Sequence, residues 1–241
     1  MATHAPELIT LTGPPRNASA IVRLEAGGQR VLTVALKLAG GIAVHKAYVR
    51  PFGEGTSEIR LRLPREMPPG RYSGEVMVGE SRMGIMVEVE PVEHLRVQPQ
   101  RSRLSLPPGG TVEFGVQVEN RGNVPIEVPK AVALDLDDDE GQDRALGRAL
   151  RARLGPGESR VDRFFEEIRE AHGGEGRVQV LAGAGRLPPA ESRALRCQLE
   201  APEMVRAGRS YFGAWELGDA AHVLLVDVTK AAPDIRGGGP R

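Results

Sequence analysis

Cysteine occurs once, at Cys197, so no intramolecular disulfide can form, and no cluster of Cys with His offers the ligands of a zinc site. That usage fits a reducing compartment. Aromatic residues are scarce, 4% of 241 residues with a single Trp at position 215, too few for a protein that stacks bases or sugars on many rings. Lysine is confined to positions 37, 46, 130 and 230, and the remaining basic residues are Arg, a bias typical of a GC-rich bacterial genome. The 32 basic side chains are balanced by 32 acidic ones, so the positive excess with which nucleic-acid binders displace counterions is missing, and no nucleic-acid partner is expected. No apolar run approaches the roughly 18 residues of a membrane span. "MATHAPELITLTGPP" lacks a basic start followed by an apolar stretch, so no signal peptide is expected and the expected location is the cytoplasm.

Reactive constellations are missing too. The five histidines, at 4, 45, 94, 172 and 222, have no metal-ligand spacing. "DLDDDEG", 135 to 141, spaces Asp135, Asp137 and Asp139 like the first ligands of a calcium loop, but Glu140 stands where the turn needs Gly and Leu146 where a bidentate Glu is required. Acids ahead of a helix and arginines along it complement the helix dipole instead. "GAGRLPP", 183 to 189, runs into prolines rather than into a helix, so it is no phosphate loop. Cys197 lies within the alternating stretch "ALRCQL", where it reads as a small buried apolar residue. The sequon "NAS", 17 to 19, carries no meaning in a cytosolic bacterial chain. No catalytic residue, metal site or cofactor is expected, and the chain reads as non-enzymatic.

What the sequence has is repetition. "AGGQRVLTVALKLAGG", 26 to 41, lines up with "PGGTVEFGVQVENRGN", 108 to 123. Residues 57 to 89 line up with 192 to 228: an alternating strand, a Pro-containing corner, a Gly-Arg pair, a Tyr-bearing strand, a Gly turn and a last apolar strand. Ile59, Leu61 and Leu63 alternate with Arg60 and Arg62, and Val76, Val78, Ile85, Val87 and Val89 extend the period of two that puts one strand face in a core. "PPGRYSGEVMVGESRMGIMVEV", 68 to 89, is therefore a hairpin. Tyr72 and Tyr211 open the penultimate strands, where a ring hydroxyl can bond back to the corner backbone. Strands separated by Gly and Pro rather than by helices indicate antiparallel sandwiches.

The stretches "LPPGGTVEFGVQVENRGNVPIEV", "LPPAESRALRCQLEAP" and "MPPGRYSGEVMV" resemble the bacterial fibronectin- or immunoglobulin-like repeats that occur beside glycosidase domains and in surface proteins. The resemblance spans most of residues 8 to 229 and implies binding, spacing or scaffolding, with no catalytic residues. Two such sandwiches in tandem are also similar to periplasmic pilus chaperones, which hold a client's terminal carboxylate with a basic pair; no residue here is assigned to that pair.

The expected fold is all-β: two tandem antiparallel Ig-like β-sandwiches, one over 1–92 and one over 93–230, followed by a disordered tail at 231–241. From Gly27 to Ser57 is 30 positions, whereas from Gly109 to Ser192 is 83, so the second copy carries about 53 extra residues. "SRVDRFFEEIREAHGG", 159 to 174, opens with Ser159 and Asp162 in capping-box spacing, puts Val161, Phe164, Phe165 and Ile168 on one face and stops at Gly173-Gly174. An earlier helix sets Ala145, Leu146, Ala149, Leu150 and Leu154 on one stripe and Arg144, Arg148 and Arg151 on another, and "GRVQVLAG", 176 to 183, returns as a strand. Copy one closes without this largely helical insertion at about 140–176, so the insertion is the expected partner surface. Phe164, Phe165 and Ile168 are expected to pack on the domain, and Arg144, Arg148 and Arg151 to meet an acidic protein partner. The chain reads as a scaffold or adaptor. An accessory subunit, an assembly chaperone and a carbohydrate- or surface-binding module are the alternatives.

Overall fold

The computed structural model describes residues 8–23, 31–53, 55–79, 81–155 and 157–230. The tail at 231–241 and the first turn of the repeat, Gly27-Gly28, lie outside the described residues. The chain is mainly β and divides into two compact units. The first comprises residues 1–94 with the short segments 120–126 and 188–191; the second comprises the remainder.

Unit 1 contains β1 (Ile9–Gly13), β2 (Ala18–Val22), β3 (Val31–Leu38), β4 (Gly41–Gly53), β5 (Thr56–Leu61), β6 (Gly70–Val78) and β7 (Ser81–Val89). They close into a barrel in the order β1-β2-β5-β4-β3-β6-β7, with β1 returning to β7. The alternating apolar residues of the sequence line its interior: Leu32, Val34 and Leu36 of β3, Ile59 and Leu61 of β5, Ile85 and Val87 of β7 are all buried. Gly74 of β6 is required where β3 pairs with it, because a Cβ there would run into the carbonyl oxygen of Ala35. The Tyr72 hydroxyl donates to the Pro68 carbonyl at 2.7 Å, tying β6 to the corner before it.

Unit 2 contains β8 (Leu95–Gln98), β9 (Arg101–Leu106), β10 (Thr111–Asn120), β11 (Ile126–Val128), β12 (Ala131–Asp138), α1 (Gly141–Arg151), α2 (Arg160–Ala171), β13 (His172–Ala182), β14 (Gly185–Leu187), β15 (Ser192–Glu200), β16 (Ser210–Leu217) and β17 (Ala220–Val228). Eight strands form one sheet in the order β8-β10-β15-β13-β12-β16-β17-β9, and β11 pairs with β14. Its core holds Trp215, edge-on to Phe114 and His222, and Cys197. The Tyr211 hydroxyl accepts from the Arg206 backbone N–H at 3.0 Å.

Stripped of β8, the second order is the first one over again: β10, β15, β13, β12, β16, β17 and β9 stand where β2, β5, β4, β3, β6, β7 and β1 stand in unit 1. Residues 57 to 89 and 192 to 228 thus supply equivalent strands. The other alignment is out of step, since β3 corresponds to β12 and not to β10. Pairing is not wholly antiparallel either. β1 runs parallel to β7, and β9 parallel to β17. In unit 1 the first strand lies along the last, in unit 2 the second does, and hydrogen bonding runs continuously around unit 1 instead of splitting into two separate sheets. The corrected alignment also relocates the insertion. In unit 1 the β3–β4 hairpin closes through residues 39–40; in unit 2 the corresponding connection is residues 139–171, with both helices in it.

Candidate partner-binding site

The insertion is rooted at Asp138. Leu134, Leu136 and Asp138 share the core-facing side of β12, so the last of them buries a carboxylate where the first two bury leucines. Its side chain is fully buried and cannot be left unpaired there. The Arg209 guanidinium donates to it at 2.9 Å, Arg144 from the first turn of α1 donates to it as well, and the Glu140 backbone N–H does so at 3.1 Å.

Small residues then bring the helices together. Gly141, Ala145 and Ala149 repeat every four positions and form the buried face of α1. A Cβ on Gly141 would collide with that of Ala171 in α2, so the pair meets closely at its root. α2 begins where the capping pattern places it: Ser159 Oγ accepts from the Asp162 N–H at 3.0 Å. It ends at Ala171, and β13 follows at once. Between the helices lies charge. Glu167 is buried, bonded by Arg148 of α1 at 2.7 Å and by Arg163 at 3.0 Å. The Arg148 hydrogen bond holds its carboxylate below the usual range against the opposing effect of burial, and Arg163 adds to it.

The apolar side chains are therefore outside. Leu146, Leu150, Val161 and Phe165 are 51 to 62% exposed, while Phe164 and Ile168 are half-buried. The expected packing of Phe164, Phe165 and Ile168 as one face on the domain does not occur, because Ala, Gly and the ion pairs take the inter-helix contact. Leu146 and Leu150 each follow a buried alanine by one position, and Phe165 follows half-buried Phe164. In an antiparallel helix pair this common offset of ~100° turns both stripes to the same side of the hairpin.

The three arginines singled out in the sequence are not equivalent. Arg144 bonds Asp138 and, at 3.0 Å, Glu140; Arg148 bonds Glu167. Both belong to the hairpin's own framework, and Arg151 alone of the three is exposed without an ion pair among the described residues. Asp138, Arg209 and Glu167 were the residues missed. Asp138 had a signal, an acid on the buried parity of a strand.

Asp135 and Asp137 of the acidic run lie on the opposite, exposed side of β12. Beyond them a cleft of about 390 Å³ is lined by Asp137, Asp139 and Asp143 over Ile168 and Phe212. Among the described residues no three His, Cys, Asp or Glu are placed to share a metal ion. Cys197 is buried, and burial pushes its thiol up to about 12. Trp215 is fully buried, so the ring that a sugar site would use faces the core.

In fold the chain is similar to immunoglobulin-domain structures. One is Dpr11 IG1 bound to DIP-gamma IG+IG2, 13% identical, covering 94% of this chain and 100% of that one at a TM-score of 0.33. Another is the I-band fragment I67-I69 of titin, 10% identical, covering 93% and 63% at 0.34. Domains 4 and 5 of the S-layer protein SbsC are 13% identical and cover 71% and 69% at 0.28. No family model matches the sequence, and no curated protein does. These likenesses concern fold alone.

Proposed function

We propose that the chain is a non-enzymatic scaffold or adaptor, two Ig-like β domains in tandem, with the helical hairpin on the second as its grip on a protein partner. The observation that carries this reading is the inverted hairpin: charge between the helices, Leu146, Leu150, Val161 and Phe165 toward solvent. A monomer gains nothing from leaving these side chains in water, and contiguous exposed apolar surface marks interaction sites. Arg151 and Arg153 flank the α1 stripe without ion pairs among the described residues, so the partner is an apolar protein surface edged with carboxylates. Arg144 and Arg148 serve it indirectly, by holding the helices in place. A cytoplasmic location, with no nucleic-acid partner, belongs to the same proposal and rests on the sequence.

The test is a pair of variants examined by co-purification from the encoding organism. Leu150→Asp with Phe165→Asp should keep the thermal transition within a few degrees, since exposed substitutions cost roughly 0.5 kcal/mol or less each, and should lose a protein that the wild type retains. Arg151→Ser should weaken the same association. A folded double variant that retains every partner sinks the reading.

A further inference from the structure

On unit 1 the outward side of β4 carries Ile42, Val44, Lys46, Tyr48 and Arg50 in alternation, with exposed Phe52 at its end. In the ladder Val31 of β3 lies opposite Tyr48, and Lys37 opposite Ile42. Val31, Ile42, Val44, Tyr48 and Phe52 are 41 to 71% exposed, a second apolar patch, distant in sequence from the hairpin. Among the described residues its free charges have one sign. Lys37, Lys46, Arg50 and Arg62 make no ion pair among the described residues, and Arg62 lies 5.6 Å from the Tyr48 ring centre. Nearby acids are already taken, Glu58 by Arg60 at 2.8 Å and Glu75 by Arg82 at 3.7 Å.

Unit 2 carries the opposite charge in the equivalent place. On the outward side of the β12–β13 hairpin, Asp135 stands directly opposite Glu175, both exposed and without ion pairs among the described residues. Like charges so placed are destabilising in a ladder. Asp137, 3.2 Å from the His172 ring, extends the acidic face, Arg177 stands two pairs further along, and the cleft lined by Asp137, Asp139, Asp143, Phe212 and Ile168 lies at the end.

We propose that the β4 face of one copy docks on the acidic β12–β13 face of a second copy, head to tail. Charge complementarity selects this occupant. Two β4 faces would bring cations against cations, which excludes a symmetric pair through that surface. A membrane is disfavoured by the alternation, since Lys46 sits between Val44 and Tyr48 and would be carried toward the acyl chains with them. Carboxylates interleaved with apolar groups answer the pattern, and the chain's own second unit presents them. The contact uses different surfaces on the two copies, so it propagates into open chains or closes into rings.

Sedimentation velocity tests this on the full chain, from micromolar to several hundred micromolar, at about 50 mM and about 500 mM salt. The wild type should sediment faster with concentration at low salt and revert toward monomer at high salt. Lys46→Glu with Arg50→Glu, and separately Asp135→Lys with Glu175→Lys, should each weaken association by about tenfold or more. Their equimolar mixture should associate again, because each reversed face then finds an opposite one. Ile42→Asn with Val44→Asn, which keeps every charge, should also weaken it, whereas Phe165→Asp should leave it intact. Melting curves establish that each variant is folded. A wild type that stays monomeric at the highest concentration in low salt overturns the proposal, as does a mixture that fails to reassociate. So does a monomer that binds phosphatidylglycerol vesicles through Lys46 and Arg50.

Discussion

His222 is fully buried, stacked on Phe114 with ring centres 6.0 Å apart. Its Nδ1 lies 2.8 Å from the Pro99 carbonyl and so donates, which leaves Nε2 to accept from the Ser102 hydroxyl at 3.1 Å in the neutral ring. Burial lowers its pKa more than the Pro99 carbonyl raises it. The folded value thus lies below the ordinary ~6.5, the unfolded chain takes the proton more readily, and the contribution to stability is complete above ~6.5 and lost as pH falls below it. His45, lowered by burial, acts in the same direction. The melting temperature should fall between about pH 7.5 and about pH 5, and His222→Phe should shrink that fall; an unchanged fall means His222 does not titrate on unfolding. Cys197, at about 12, is neither thiolate nor accessible, so a thiol reagent should label it only at the rate of unfolding. Labelling within seconds in native buffer contradicts its placement. Asp138→Asn leaves Arg144 and Arg209 facing each other without their shared anion. Because Arg144 remains 35% exposed, the cost should be about 2–3 kcal/mol in urea unfolding, below the roughly 3–5 of a wholly buried pair.

At the scale of elements, the β12–β13 connection separates what the fold needs from what it carries. Replacing residues 139–171 by two glycines leaves a short hairpin loop like the β3–β4 turn. The shortened protein should keep its strand content and a cooperative transition while losing the proposed partner; loss of cooperative folding would make the helices structural. Much of this was legible in the sequence, since a period of two and Gly or Pro corners specify strands locally, and Ser159 with Asp162 specifies a helix start. Which face of that helix is buried was not legible. Apolar periodicity pointed Phe165 inward, but the partner helix offers Gly141, Ala145 and Ala149, and the buried Glu167 draws Arg148 and Arg163 with it. Periodicity locates a stripe and leaves open whether the surface it faces lies in the same chain. The misaligned first repeat has a similar origin: Gly-Gly before an alternating strand occurs ahead of both β3 and β10, and only strand neighbours distinguish their places.

For the whole molecule, zero net charge conceals an uneven distribution, cations on the β4 face and carboxylates on the β12–β13 face. Solubility should therefore pass through a minimum at low ionic strength near neutral pH and recover with salt, the reverse of salting out. Turbidity followed against salt reads this, and a monotonic loss of solubility on adding salt contradicts it. The parallel β1–β7 closure of unit 1 has a mechanical consequence. In unit 1 the first strand, β1, lies along the last, β7, in the same direction, so the first begins at one end and the last finishes at the other; in unit 2 it is β9, the strand after β8, that lies so along β17. A pull applied through the ends of unit 1 thus acts along these strands and loads the β1–β7 ladder in shear; the β9–β17 seam of unit 2 carries the Arg103–Asp227 pair, 2.6 Å. The hydrogen bonds must give way together instead of unzipping singly, so rupture force should be high even where equilibrium stability is ordinary. Under tension unit 1 would act as a clasp, and Leu11→Pro, which interrupts the β1–β7 seam, should lower the force at which it opens.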